Sequence, residues 1–90
     1  MTAKEVARQA AVEALGITHG IDPSAVEAAI ATVGGDELLE LDSKTAEFII
    51  AAIEVALGKT LPTPADLGRS NIGTLGVLLR ALAPRLSAAS

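Results

Sequence analysis

Asp42-Ser43 is where this chain of 90 residues puts a carboxylate, a hydroxyl and a helix start side by side. The acidic segment Asp36-Glu37-Leu38-Leu39-Glu40-Leu41-Asp42-Ser43-Lys44-Thr45-Ala46-Glu47 runs into the apolar stretch Phe48-Ile49-Ile50-Ala51-Ala52-Ile53-Glu54-Val55-Ala56-Leu57. A serine in that position is exposed at the positive end of a helix. That setting suits a hydroxyl modified by a partner enzyme better than one that attacks a substrate itself. Nucleophilic catalysis needs a base within reach of the serine. The lone His19 has no serine or carboxylate that spacing places beside it, so a hydrolase built on Ser43 lacks its base. From spacing alone, Ser43 is either the N-cap or the residue after an Asp42 cap. Asp36, Glu37, Glu40, Asp42, Glu47 and Glu54 surround it, opposed only by Lys44. Such an acidic surface steers basic partners and speeds their encounter.

The elements that hold this dipeptide follow from composition and period. Half the residues are hydrophobic and Phe48 is the single aromatic, so the core must be aliphatic and rich in alanine. Ala and Leu favour helix, and no β-branched run alternates with polar residues as a half-buried strand would. The first helix is predicted from Ala3 to about Leu15, opened by a Thr2/Glu5 capping box and closed at Gly16. Its inner stripe is Ala3, Val6, Ala7, Ala10, Ala14 and Leu15, with Lys4, Arg8, Gln9 and Glu13 in water. A second helix is predicted from Pro23 to Val33, capped by Asp22 or by a Ser24/Glu27 box, with Val26, Ala29, Ile30 and Val33 inward and Gly34-Gly35 as its end. Leu38, Leu39 and Leu41 anchor the loop that follows.

The helix after Ser43 carries Ala46, Ile49, Ile50, Ile53, Ala56 and Leu57 on one face and Lys44, Glu47, Ala51 and Glu54 on the other, with Lys44 and Glu47 at ion-pair spacing. Phe48 and Val55 lie between the faces, and Gly58 closes the helix. Leu61 to Gly68 forms a stiff connector with a short turn capped by Thr63, started by Pro64 and favoured by Asp66. A last helix is predicted from Ile72 to about Ala83, with Ile72, Leu75, Leu79 and Leu82 inward. Gly73 and Gly76 inside it imply a close helix contact, and Pro84 stops it. Residues 1–86 make one domain, with 87–90 a disordered tail.

Composition also excludes. The absence of cysteine removes disulfides and thiolate metal sites, and one histidine cannot supply a cluster. The net charge of −4 argues against nucleic acid, and Arg69, Arg80 and Arg85 are too dispersed to make a phosphate-binding patch. No stretch approaches the roughly 18 apolar residues of a membrane span, and the N-terminus leads into no signal-peptide core. A monomeric cytoplasmic protein is the expectation.

Leu41-Asp42-Ser43, the amphipathic helix after it, Gly58-Lys59-Thr60-Leu61-Pro62 and a terminal helix carrying Thr74-Leu75 together resemble the acyl carrier protein family of phosphopantetheine-binding carriers. The likeness covers Leu38 to about Leu82, and the first forty residues only by helical layout. It implies an all-α, four-helix bundle of acyl-carrier type, here with a short extra helix in the long first connection. It implies a non-enzymatic carrier bearing 4'-phosphopantetheine, donated by coenzyme A, on Ser43, with Asp42 adjacent to the attachment. A phosphopantetheinyl transferase would attach the arm, and acyl-loading and acyl-processing enzymes such as a ketosynthase or acyltransferase would be visited. Leu41, Lys44, Glu47, Phe48 and Glu54 would meet those partners. Polyketide or related biosynthesis is the implied niche, because Lys44, where the family usually has Leu or Met, and the helical first loop depart from the usual fatty-acid form; Glu40 also stands where the family often has Gly. The rival expectation is an unmodified helical interaction module with an acidic docking face.

Overall fold

Two alanine-lined helices packed closely against each other set the centre of the protein. In the computed structural model, which describes residues 1–86, α1 (Ala3–His19) makes its most extensive packing with α3 (Ser43–Leu57). Ala7, Ala11 and Ala46 are fully buried, as are the larger Ile49 and Ile53. Small side chains bring the helix axes together, and the isoleucines fill the space between them. In chain order these two helices are separated by α2 (Pro23–Val33) and a 3-10 turn (Asp36–Leu38). After α3 come the single-turn α4 (Pro64–Leu67), a 3-10 turn (Arg69–Asn71) and α5 (Leu75–Leu86), whose Leu75, Leu78, Leu82 and Leu86 close the core. The described residues are all-α, with one isolated bridge, Glu40 to Thr74, in place of any sheet. No helix among them is long and apolar enough to cross a membrane.

The predicted caps are largely present. Thr2 and Glu5 form their reciprocal box, and Thr63 caps α4, where Asp66 goes beyond the expected charge effect and bonds back to the Thr63 N–H. Gly58 ends α3. Asp22 precedes α2 without a side-chain cap bond, and the Ser24/Glu27 alternative does not form because Glu27 is drawn to Arg8.

Three boundaries differ from expectation. Gly16 does not end α1; the left-handed residue is Gly20, at φ 68°. Gly16 is buried inside the helix, where a Cβ would stand 2.7 Å from the Ile21 carbonyl oxygen, so glycine serves the tight exit of the chain toward α2. Gly73 lies before α5, not within it, and Gly76 faces Glu37 of the 3-10 turn, so the expected close helix contact is a contact with that turn. Pro84 does not stop α5. The helix gives up the bond that a residue-84 N–H would make. It continues because Leu86 is buried and Lys59 Nζ donates to the Arg85 and Leu86 carbonyls, at 3.1 and 2.8 Å. A cation capping the last carbonyls also complements the helix dipole.

Side-chain placement differs in detail. Ala29, Val33 and Ala56 are exposed, whereas Ala11, Val12 and Leu78 join the core. Leu39 and Leu41 pack against it, but Leu38 is 61% exposed and lies over Gly34 instead of anchoring the loop in the core. Phe48 is 42% exposed and Val55 84%, so Val55 belongs to the outer face. The tail expected at 87–90 lies outside the described residues.

Candidate functional site

Asp42 and Ser43 divide the two duties that spacing left open. Asp42 is the N-cap: its Oδ1 accepts from the Thr45 backbone N–H at 2.7 Å. That bond holds the Asp42 carboxyl below the usual carboxylate range, with a smaller contribution from the Lys44 charge. Ser43 is therefore the first helical residue, freed from capping. Its side chain is exposed, and its hydroxyl makes no hydrogen bond within the described residues.

The approach to Ser43 is fixed from a distance. The Leu41 N–H donates to the Gly73 carbonyl and the Leu75 N–H to the Leu39 carbonyl, both at 2.9 Å. This short antiparallel pairing ties residues 39–41 to the start of α5, while the Leu39 and Leu41 side chains pack into the core. On the α5 side, Thr74 Oγ1 accepts from the Val77 N–H at 3.2 Å. Ser43 thus projects from a rigid corner where α3 and α5 both begin.

Beside it runs an open groove of about 570 Å³ lined by Ser43, Lys44 and Glu47 of α3, Pro64 and Ala65 of α4, and Arg69 and Ile72 beyond them. Arg69, dispersed from the other arginines in sequence, reaches the groove that Ser43 lines through the fold of the second connection. Lys44 and Glu47 share the groove without forming the ion pair their spacing allowed.

The acidic surround is largely occupied. Asp36 Oδ2 accepts from Arg8 Nε at 2.9 Å, while Glu27 accepts from the other end of the same guanidinium at 2.6 Å. Both carboxylates hold the Arg8 guanidinium in its charged form, and Arg8 lowers the Glu27 carboxyl in turn. Arg8 is therefore half-buried in a bridge rather than left in water as its helix position suggested. Glu37 pairs with Arg80. Glu54 Oε2 accepts from the Leu61 N–H at 2.7 Å, which turns this residue toward the interior of the second connection. Of the six carboxylates grouped by sequence, Glu40 and Glu47 alone make no side-chain bond within the described residues. The outer face of α3 instead presents Lys44, Glu47, Phe48, Ala51 and Val55 at helical spacing.

His19 ends α1 and borders a separate apolar recess of about 350 Å³ with Leu15, Ile21, Val26, Ala29, Ile30 and Leu39. Among the described residues His19 and Ser43 line different recesses. No family model matches the chain, and no curated protein or solved structure matches it.

Proposed function

We propose that the protein is a carrier of acyl-carrier type that holds an acyl or aminoacyl intermediate on a phosphopantetheine arm at Ser43. The observation that carries this reading is the division of labour at residues 42 and 43. The aspartate takes the cap and leaves an exposed, unbonded hydroxyl on a rigid helix start. In the loading reaction a transferase would remove the Ser43 hydroxyl proton. Ser43 Oγ would form a bond to the coenzyme A phosphorus next to pantetheine, and the pyrophosphate bond would break with 3',5'-ADP leaving. The residues present fit the group: the serine is accessible, and the groove beside it offers two cations and an apolar wall.

When bound, the arm supplies a thiol that carries the cargo as a thioester. The protein's own part is presentation. Tethering turns substrate capture into docking and raises the effective concentration at each partner's active site. Leu41, Lys44, Glu47 and Phe48 border the serine and form the docking face. Glu54 serves the fold first. The partners are a phosphopantetheinyl transferase and acyl-loading or acyl-processing enzymes, in polyketide or related biosynthesis.

An unmodified interaction module is the second reading, favoured by the exposed apolar pair Phe48 and Val55 on α3. Coexpression with a broad-specificity transferase followed by intact-protein mass spectrometry separates the two. The carrier reading expects one arm on wild type and none on Ser43→Ala. Wild type that stays bare while a control carrier loads overturns it in favour of the module.

A further inference from the structure

Seven side chains of the chain are Lys or Arg, and the fold distributes their partners unevenly. Arg8 and Arg80 are tied to carboxylates, and Lys59 is taken up by the end of α5. Lys4, Lys44, Arg69 and Arg85 make no ion pair or side-chain hydrogen bond within the described residues, and of these four Lys44 and Arg69 line the groove beside Ser43. In a chain of net charge −4, two cations without partners thus share a groove with the same exposed hydroxyl. Glu47 lines the groove too, yet it pairs with neither. The remaining wall, Thr63, Pro64, Ala65, Gly68 and Ile72, carries no charge.

We propose that Lys44 and Arg69 clasp the phosphodiester of the arm on Ser43 and so lay the first atoms of that arm into the groove between α3 and α4. This inference rests on the carrier reading and says what that same site does once loaded. The phosphodiester bears one negative charge and two free oxygens. Arg69 meets it with parallel N–H donors and Lys44 with a mobile point charge, both as charge-assisted hydrogen bonds. Lys44, which replaces the apolar residue usual in the resembling family, thereby has a function of its own. Because the groove is open, the clasp is screened by salt, and a partner surface that supplies competing contacts releases it.

The test uses the loaded protein and phosphorus NMR. Wild type, Lys44→Ala, Arg69→Ala, the double variant and Arg69→Lys are loaded by a broad-specificity transferase and verified by intact mass and thermal melting. Their 31P spectra are then recorded across a salt series. The clasp expects a broad, shifted wild-type resonance at low salt that narrows and moves toward a free phosphodiester as salt rises. The double variant should sit at that high-salt position throughout, the single alanine variants between, and Arg69→Lys nearer wild type than Arg69→Ala. A loaded wild type whose resonance ignores salt overturns the clasp, as does equality of wild type and the alanine variants at low salt. Either result leaves the carrier reading intact. Wild type that takes no arm while the control carrier loads overturns both.

Discussion

The two connections on either side of α3 are held by opposite means. The first, residues 20–42, is held by groups far away in sequence. Arg8 bridges Glu27 and Asp36, Arg80 takes Glu37, and residues 39–41 pair with residues 73–75. The second, residues 58–74, is held mostly by near neighbours. Thr63 and Asp66 cap each other, Asn71 Nδ2 bonds the Leu67 carbonyl at 2.7 Å, and Glu54 reaches seven residues ahead to Leu61. The first meets solvent through charged bridges whose strength salt and acid control. The second is locked by short hydrogen bonds, one of them on the nearly buried Leu61. The two ends of the Ser43 corner therefore respond to different perturbations.

Glu54→Ala gives the largest effect expected from this contrast. It strips the acceptor from the Leu61 N–H in a part-buried site, and an unsatisfied buried donor costs about 2 kcal/mol. Urea unfolding should show that loss, and hydrogen exchange should speed at 58–62 while 34–41 stays protected. Gly16→Ala comes next. Alanine improves helix propensity by about 1 kcal/mol. Its Cβ, however, meets backbone 2.7 Å away at Ile21, so the net result is a destabilisation of about 1.5 kcal/mol. A melting temperature raised by Gly16→Ala would show that the exit of the first connection is looser than the contact implies.

The same contrast explains what could be read in the sequence. Local chemistry was legible: the Thr2/Glu5 box, the Thr63 cap, the Asp42 start, the Gly58 stop and the Val26/Ile30 face of α2 all lie within a few residues of their causes. The site was legible to the same degree. Ser43 and Asp42 could be named, and the choice between them as cap awaited the Thr45 bond. What stayed hidden depends on residues brought together by the fold. Gly16 looked like a stop because the chain that crowds it, at Ile21, belongs to the next turn of backbone. Pro84 looked like an end because Lys59, which sustains α5, stands far upstream. Glu54 looked like a solvent-facing acid because its partner is a backbone N–H. Arg69 looked dispersed because the folding of the second connection, through α4 and the 3-10 turn after it, brings it to the groove.

Arg8→Met tests the first connection directly. It frees Glu27 and Asp36, whose side chains are 48% and 28% exposed, so screening limits the loss to about 1 kcal/mol. Hydrogen exchange should accelerate at 34–38 with no change at 58–71, and high salt should weaken wild type toward the variant. Equal protection in both proteins at low salt would mean that apolar packing by Val26, Ile30 and Leu39 holds this connection without the bridge.

Asp42→Asn is expected to have the smallest effect and bears most closely on the serine. Asparagine caps about as well as aspartate, so α3 keeps its start and Ser43 its exposure. What changes is the response to acid. The folded Asp42 carboxyl lies below its ordinary value of 3.8 because the Thr45 N–H favours its ionised form. A depressed folded value means that its contribution is complete above the ordinary value and fades as pH falls through the folded one. Glu27, lowered from 4.5 by Arg8, acts in the same sense. Wild type should therefore match Asp42→Asn near neutral pH and fall below it as the carboxyl protonates in acid, and Arg8→Met should flatten the Glu27 share separately. If Asp42→Asn leaves the acid branch unchanged yet slows arm attachment, the carboxylate serves the transferase rather than the helix, and the division of labour between residues 42 and 43 must be redrawn.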